Sequence, residues 1–158
     1  MPYYPIFLSV KDKPVLVAGA GNVALRKVRG LLNAGARVTV VAPEVLQEFE
    51  ELPVRLIRRK VRARDLDGAL LAFAATNDRR ANQAVAAAAL KRRIPTNVAD
   101  APEECDFLTP ARVTRGKLQI AISTGGENPR LAATLRRKLE LMMEAAKTST
   151  GKRGSDDR

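Results

Sequence analysis

The first hundred residues alternate short β-branched runs with helical patterns, and this alternation leaves few folds open to the chain. The runs expected to be strands are residues 15–18, 36–43, 53–59, 69–76 and 94–100. An alanine-rich helical pattern from Arg79 to Leu90 separates the last two runs. Strands that alternate with helices pair in parallel, because each crossover returns the chain to the same edge of the sheet. The sequence therefore predicts an α/β protein with a doubly wound parallel sheet.

A glycine turn lies between the first strand and the first helix, in the sequence VLVAGAGNVALRK of residues 15–27. In Gly19-x-Gly21-x-x-Ala24, the first glycine permits a tight turn and the second lets the backbone approach a pyrophosphate. The small third residue lets the helix pack closely on the strand, and free N–H groups at the helix start would hold the phosphates. These features favour a dinucleotide site. The alternative is that the glycines only make a tight crossover.

Three short stretches at the predicted carboxyl edge of the sheet are candidates for contacts to the dinucleotide. They are the glycine turn, the end of the second strand and the sequence AATND after the fourth, where an ordinary small-residue strand end is the alternative. The candidate residues are Gly19, Gly21, Asn22, Val23, Ala24, Ala42, Pro43, Ala75, Thr76 and Asn77. The ribose carboxylate expected about 20 residues after the glycines is absent at the end of the second strand, so these residues leave NAD and NADP open.

The chain has no histidine, so proton transfer at a cofactor requires another side chain. Asp100 ends the fifth predicted strand at the same edge as the glycine turn, where its carboxylate would face a cofactor ring. A turn in the sequence DAPEE, with the Asp100 side chain capping local backbone, is an equally good interpretation of these residues alone. Asn97 would either orient a substrate or cap the edge strand.

The net charge of +11, from 28 Lys and Arg against 17 Asp and Glu, favours an anionic partner. Nucleic acid is one class of such partner, but the six aromatic residues are not interleaved with basic ones as in single-strand binders. The basic run at 58–64 is interpreted as a solvated face. Arg26 and Lys27 lie near the positive end of the first helix dipole, where they either face solvent or meet an anionic ligand.

Several other classes of protein are disfavoured by the composition. A single cysteine, Cys105, without histidine argues against a structural zinc site or an axially ligated haem, so no metal site is predicted. No apolar run approaches the roughly 20 residues of a membrane span. The start of the sequence lacks the basic region of a signal peptide, so we expect a cytoplasmic protein without membrane contact.

After Ala101 the pattern changes from alternating strands and helices to a hairpin and one helix. Residues 105–124 contain two strand patterns around the turn 115–117, and a helix is predicted over 127–147 with Asn128 as N-cap and Pro129 at its first position. The predicted organisation is a sheet domain over 1–105, a small α+β element over 106–147 and a disordered tail over 148–158.

Four blocks of sequence together resemble the precorrin-2 dehydrogenase family, which includes the N-terminal module of siroheme synthases. The blocks are PIFLSVKDKPVLVAGAGNVALRKVRGLLNAGARVTVVAP, AATND, NVADAPEECDFLTPA and IAISTGGENPRLAATLRRKLE, in the family's order from Pro5 to Glu140. The resemblance implies a Rossmann-like domain followed by a small dimerisation element. It also implies NAD-dependent oxidation of precorrin-2 to sirohydrochlorin, and in some members insertion of ferrous iron. Matching NVADAP to the family places its functional aspartate on Asp100.

The substrate implied by the resemblance is a tetrapyrrole polycarboxylate, and the implied assembly is a homodimer. Basic side chains attract such a substrate. The N–H groups of the sequence STGG would receive an acid side chain or a phosphate, although a flexible hinge explains this sequence equally well. The candidate substrate contacts are Asn97, Arg112, Ser123, Thr124 and Gly125. The alternative function is an NAD- or tetrapyrrole-binding sensor or carrier that keeps the fold without turnover.

Overall fold

The computed structural model describes residues 3–150, and their side chains as far as Glu144. It divides into two compact units, of which the first is Tyr4–Leu108 and the second contains the chain from Thr109 onward together with Tyr3. The first unit contains the glycine turn and Asp100, whereas the second contains the predicted hairpin and last helix.

The first unit is built from a five-stranded parallel sheet in the order β3-β2-β1-β4-β5. Its strands and α-helices are β1 (Pro14–Ala18), α1 (Asn22–Asn33), β2 (Arg37–Val41), β3 (Arg55–Ile57), β4 (Leu71–Ala74), α2 (Arg79–Lys91) and β5 (Thr96–Val98). This arrangement confirms the predicted doubly wound sheet. The strands β2 to β5 are shorter than predicted, whereas β1 begins one residue earlier, at Pro14. In β2, β3 and β5, the residues Pro43, Pro53 and Pro95 fall outside the observed strands, since a proline has no N–H for the ladder.

The core lies on both faces of this sheet. Val15 and Val17 point to the face covered by α1, where they join a buried cluster with Val28. Leu16 alternates to the opposite face and joins a second buried cluster with Ala89 of α2. A strand buried on both faces is apolar at nearly every position, which explains why the strand runs were visible in the sequence.

Gly35 lies just past the end of α1. Its φ is +79°, in the left-handed region that glycine enters without a steric penalty, and its N–H donates to the carbonyl of Leu32 at 2.9 Å. The N–H of Ala36 then donates to Leu31 at 3.0 Å, so the last carbonyls of the helix are satisfied and the chain turns directly into β2.

The second unit consists of an antiparallel hairpin and a helix. The strands β6 (Ala111–Arg115) and β7 (Leu118–Ile122) pair across a two-residue turn, and α3 (Pro129–Thr150) follows. The side chain of Asn128 accepts a hydrogen bond from the N–H of Leu131 at 2.9 Å, which confirms the predicted N-cap.

The helix α3 continues three residues past its predicted end at residue 147, because no glycine or proline occurs before Gly151. Residues 151–158 of the predicted tail lie outside the described residues. Within the described part of the chain, no helix combines the length and apolarity needed to cross a membrane.

Candidate active site

The loop after β1 passes between the carboxyl ends of β2 and β4. The N–H of Gly19 donates to the carbonyl of Val41 at 2.9 Å, and φ of Gly19 is +105°. A Cβ placed on Gly19 would lie only 2.2 Å from the carbonyl oxygen of Ala75. Both the backbone angle and the available space therefore require glycine. This position is the switch point of the sheet, where chain connections leave in opposite directions and a crevice opens.

The start of α1 faces open space. Gly21 is its N-cap, with φ −91° and ψ −173°, and a Cβ on this residue would meet nothing within 4 Å. No side chain caps the helix, and its first turn contains no acidic residue. Among the described residues, no acceptor is found for the N–H groups of Asn22 and Val23. Unused donors at the positive end of a helix dipole fit the pyrophosphate of a dinucleotide.

The predicted cofactor residues all lie in three segments at this one edge of the sheet. Besides the loop from Gly19 to the start of α1, these are the residues that follow β2 and β4. Ala42 and Ala75 are buried, whereas Pro43 and Asn77 are exposed. The structure thus brings together positions that are more than 50 residues apart in the sequence.

Asp100 lies at the neighbouring strand end, in a turn two residues past β5. Its side chain is 39% exposed, and its Oδ1 accepts a hydrogen bond from Nδ2 of Asn82 at 2.9 Å. Nη1 of Arg79 lies 3.5 Å from the same oxygen, which is an ion-pair distance without hydrogen-bond geometry. Within the described residues, the carboxylate makes no hydrogen bond to adjacent backbone. The alternative interpretation, in which Asp100 caps the local turn, is therefore wrong for this structure.

Asn82 connects Asp100 to the end of β4, and the sequence analysis missed it. The residue is fully buried in α2. Its Oδ1 accepts from the N–H of Thr76 at 3.0 Å, and its Nδ2 donates to the Thr76 carbonyl at 3.1 Å. The signal that would have found it is the helical spacing of Asn82, Val85 and Ala89, which puts a lone polar side chain on the buried face of α2.

Comparisons with known proteins agree with this geometry. A family model described as NAD(P)-binding matches residues 6–111, and one described as "Sirohaem biosynthesis protein central" matches residues 115–141. A solved structure named "SirC, precorrin-2 dehydrogenase" aligns with a TM-score of 0.76 and 35% identity over 87% of this chain and 69% of that chain. The chain belongs to the precorrin-2 dehydrogenase and siroheme synthase family. The expected resemblance and the expected nicotinamide dinucleotide cofactor are thereby confirmed.

Curated relatives named siroheme synthase are longer than this chain. The one from Methylococcus capsulatus is 46% identical over 144 residues, which is 89% of this chain and 30% of the relative. The one from Thioalkalivibrio sulfidiphilus is 43% identical over 150 residues, 92% of this chain and 31% of the relative. The chain therefore spans about a third of the length of the siroheme synthases that it matches.

In this member of the family, Arg79 is held among acidic side chains beside Asp100. Its guanidinium donates a hydrogen bond to Glu104, and the same side chain forms the ion pair with Asp100. The hydrogen bond to Glu104, together with the charges of Glu104, Asp100 and Glu103, raises the pKa of Arg79 above its usual value. Arg79 therefore stays protonated, and its positive charge partly compensates the negative charge of the Asp100 carboxylate.

Asn97 lies within the core beneath α1, on the same face of the sheet as its β4 neighbour Phe73. Its Oδ1 accepts from Nζ of Lys27 at 2.7 Å, and its Nδ2 donates to the carbonyl of Phe107 at 3.0 Å. The amide of this predicted substrate contact is thus engaged by the protein itself. Burial, assisted by the charge of Arg26, lowers the pKa of Lys27. Neither of the two roles considered for Lys27 from the sequence describes this contact.

The other predicted substrate contacts belong to the second unit. The N–H of Gly125 donates to Oγ of Ser123 at 3.2 Å, and the N–H of Asn128 donates to Oγ1 of Thr124 at 3.1 Å. These bonds shape the turn that leads into α3, and φ of Gly125 is +66°. Arg112 lies in β6. Within the described residues, no group of three or more Cys, Asp or Glu side chains is placed to hold a metal ion.

Proposed function

We propose that the chain oxidises precorrin-2 to sirohydrochlorin with NAD as the hydride acceptor. The observation that carries this proposal is the convergence, at one sheet edge, of an uncapped helix start, the small-residue end of β4 and a partly exposed carboxylate. In the family to which the chain belongs, a solved structure bears the name precorrin-2 dehydrogenase. When bound, NAD supplies the site with a nicotinamide ring that takes up a hydride.

Three parts of the site have separate roles in the proposed reaction: the start of α1, the end of β4 and Asp100. The first N–H groups of α1 would hold the pyrophosphate, and Gly21, which has no side chain, would let it approach the backbone closely. The small residues Ala75 and Thr76 leave space for the nicotinamide at the end of β4. Asp100 accepts the proton that the substrate loses as its hydride leaves, so that substrate oxidation is balanced by one hydride and one proton. A carboxylate thus replaces the histidine that the chain lacks.

The substrate proposed here is an anionic tetrapyrrole that carries many carboxylates. The net charge of +11 favours its attraction over long range. We place Arg112, Ser123, Thr124 and Gly125 among its contacts, since these residues supply a cation, hydroxyl groups and backbone N–H groups. Asn97 belongs to the first unit, where its buried amide is bound by Lys27 and by the carbonyl of Phe107.

A homodimer is part of the proposal. In the second unit, five large apolar side chains are exposed. This unit consists of a hairpin and one helix, which is too little structure to bury a large core of its own. The exposed side chains are Leu118, Leu131, Leu135, Leu141 and Met142. A second copy that covers them would supply the missing apolar contacts. We place the reaction in the cytoplasm, where the free thiol of Cys105 is kept reduced.

The test is an anaerobic assay that follows NADH and sirohydrochlorin after mixing the protein, NAD and freshly generated precorrin-2. We expect turnover by the wild type and a loss of at least about 100-fold in kcat for Asp100→Asn, which keeps the shape but not the base. NAD affinity is expected to stay unchanged in this variant. Sedimentation velocity on the same sample checks the dimer, and a monomer under assay conditions would refute that part.

Two results would overturn the catalytic proposal. Wild-type protein that binds NAD and precorrin-2 without forming NADH would be a sensor or carrier. Turnover that survives Asp100→Asn would move the proton acceptor to another group or to water.

A further inference from the structure

The buried amide of Asn82 makes four hydrogen bonds, and all of them go to the end of β4 or to Asp100. Oδ1 accepts from the N–H and from Oγ1 of Thr76, at 3.0 and 2.8 Å. Nδ2 donates to the carbonyl of Thr76 at 3.1 Å and to Oδ1 of Asp100 at 2.9 Å. An amide has two donors and an oxygen with two lone pairs, so its capacity is fully used.

The orientation of this amide is determined by its partners. The N–H of Thr76 requires an acceptor, and the carboxylate of Asp100 requires a donor, so exchanging Oδ1 and Nδ2 would break both contacts. Because Asn82 is fully buried, no solvent replaces a lost bond. The amide therefore acts as a rigid link between two strand ends.

We propose that Asn82 is a positioning residue for the reaction, because it fixes the carboxylate of Asp100 relative to Thr76 and hence to the nicotinamide edge of the site. This inference rests on the proposed function. Because Asn82 bonds to both residues, the position of the Asp100 carboxylate depends on Thr76, at the end of β4 that is proposed to border the cofactor. Thr76 is tied in turn to the start of α2, since its hydroxyl accepts from the N–H of Asp78 at 3.2 Å.

The contacts of Asp100 leave one of its oxygens available. Both Asn82 and Arg79 approach Oδ1, so Oδ2 has no partner among the described residues. The charged groups around this carboxylate are Arg79 of α2 and, beyond it, Glu103 and Glu104 of the short helix Pro102–Glu104. Arg79 is shared with Glu104 and its side chain is 38% exposed, so it is a looser constraint than the buried amide. Because Asn82 binds Oδ1 of this partly exposed side chain, Oδ2 is left to accept a substrate proton.

The variant that separates this role from a structural one is Asn82→Asp. Its carboxylate keeps the acceptor for the N–H and hydroxyl of Thr76 but loses the Nδ2 donor, and with it the hydrogen bonds to Asp100 and to the Thr76 carbonyl. We expect kcat to fall about tenfold or more, as is common when a supporting hydrogen bond to a functional group is removed. NAD affinity is expected to change far less than kcat. The acid limb of the pH–rate profile should move to higher pH, because two neighbouring carboxylates hold a proton more readily than one.

Two controls accompany this variant. Gln83→Glu makes the same change from amide to carboxylate at the next, exposed position of α2, and we expect it to leave kcat and the pH profile unchanged. The double variant Asn82→Asp with Asp100→Asn restores the bond with donor and acceptor exchanged. We expect it to regain part of the free energy of unfolding lost in Asn82→Asp, while turnover stays as low as in Asp100→Asn alone.

The proposal fails if Asn82→Asp lowers NAD affinity and kcat together, in proportion to lost folded protein, with an unshifted pH profile. Asn82→Ser, which is too short to span Thr76 and Asp100, serves if the first variant does not fold. A wild type without turnover would refute the proposed function instead. In that case, NMR titration of the Asp100 carboxyl carbon still tests the link, and an equal midpoint in wild type and Asn82→Asp would refute it.

Discussion

Two helices begin at the same edge of the sheet, but they treat their first N–H groups differently. At the start of α2, the side chain of Asp78 accepts hydrogen bonds from the N–H groups of Arg80 and Ala81, at 2.9 and 3.3 Å. At the start of α1, the N-cap is Gly21, which has no side chain to offer, and the first turn has no acidic residue. One helix start satisfies its own donors, whereas the other leaves them to a ligand.

This difference separates a structural helix start from a binding one. A side-chain cap stabilises a helix by about 1 kcal/mol relative to a residue that cannot cap, and an anion at the same place gains from the helix dipole. Asp78 supplies both effects for α2 from within the chain. We propose that at α1 both effects are available to the pyrophosphate of NAD, which would occupy the N–H groups that no side chain caps.

The largest expected effect comes from closing the turn that leads into α1. Gly19→Ala would put a methyl group 2.2 Å from the carbonyl oxygen of Ala75 at a φ of +105°. We expect the free energy of unfolding to fall by about 3 kcal/mol, from left-handed strain and overpacking together, and NAD binding to be lost. Urea denaturation and calorimetric titration with NAD measure the two effects.

Gly68→Ala is the matched control, because φ is +79° there but a Cβ would meet nothing within 4 Å. We expect a loss of only about 1–2 kcal/mol, from backbone strain alone. Equal losses at the two glycines would show that the contact with Ala75 contributes nothing, and the proposed need for glycine at the switch point would rest on φ alone.

A smaller effect is expected when α1 is given the cap that α2 has. Gly21→Asp places a carboxylate where the backbone is extended and the surroundings are open. We expect the protein to become more stable by a few tenths of a kcal/mol, since aspartate is the better cap. NAD affinity should fall at least about tenfold, or about 1.4 kcal/mol, because the carboxylate occupies the N–H groups and repels the pyrophosphate.

The reverse change is made at α2. Asp78→Ala is expected to lower the free energy of unfolding by about 1 kcal/mol without weakening NAD binding. If NAD binding survives Gly21→Asp, the pyrophosphate is not held by the start of α1. If it is lost in Asp78→Ala, the two helix starts do not differ in the way proposed.

What could be predicted from the sequence was whatever a short local pattern determines. The strands, the glycine turn and the end of α1 at Gly35 each depend on residues within a few positions of one another. The role of Asn82 depends on Thr76 and Asp100, which the fold brings to it from two other segments. Lys27 reaches Asn97 across 70 positions, and no pattern within a helix indicates such a contact.

The smallest expected effect is on the pH dependence of stability and concerns Lys27, which is half-buried in α1. Burial lowers the pKa of Lys27 below its ordinary value of 10.5. Between the two pKa values the unfolded chain still binds the proton that the folded chain has released, so the free energy of unfolding rises with pH in that window. Below the lowered pKa both states are protonated, and the contribution is independent of pH.

Lys27→Met keeps the apolar stem but removes the amino group and its bond to Asn97. Compared with this variant, wild type should therefore gain stability between neutral pH and a pH just under 10.5, by less than about 1 kcal/mol because the side chain is only partly buried. Urea denaturation of both proteins at the two pH values measures the difference, and alkaline titrations common to both proteins largely cancel. A difference that does not change with pH would mean that the amino group of Lys27 is as well solvated as that of an exposed lysine.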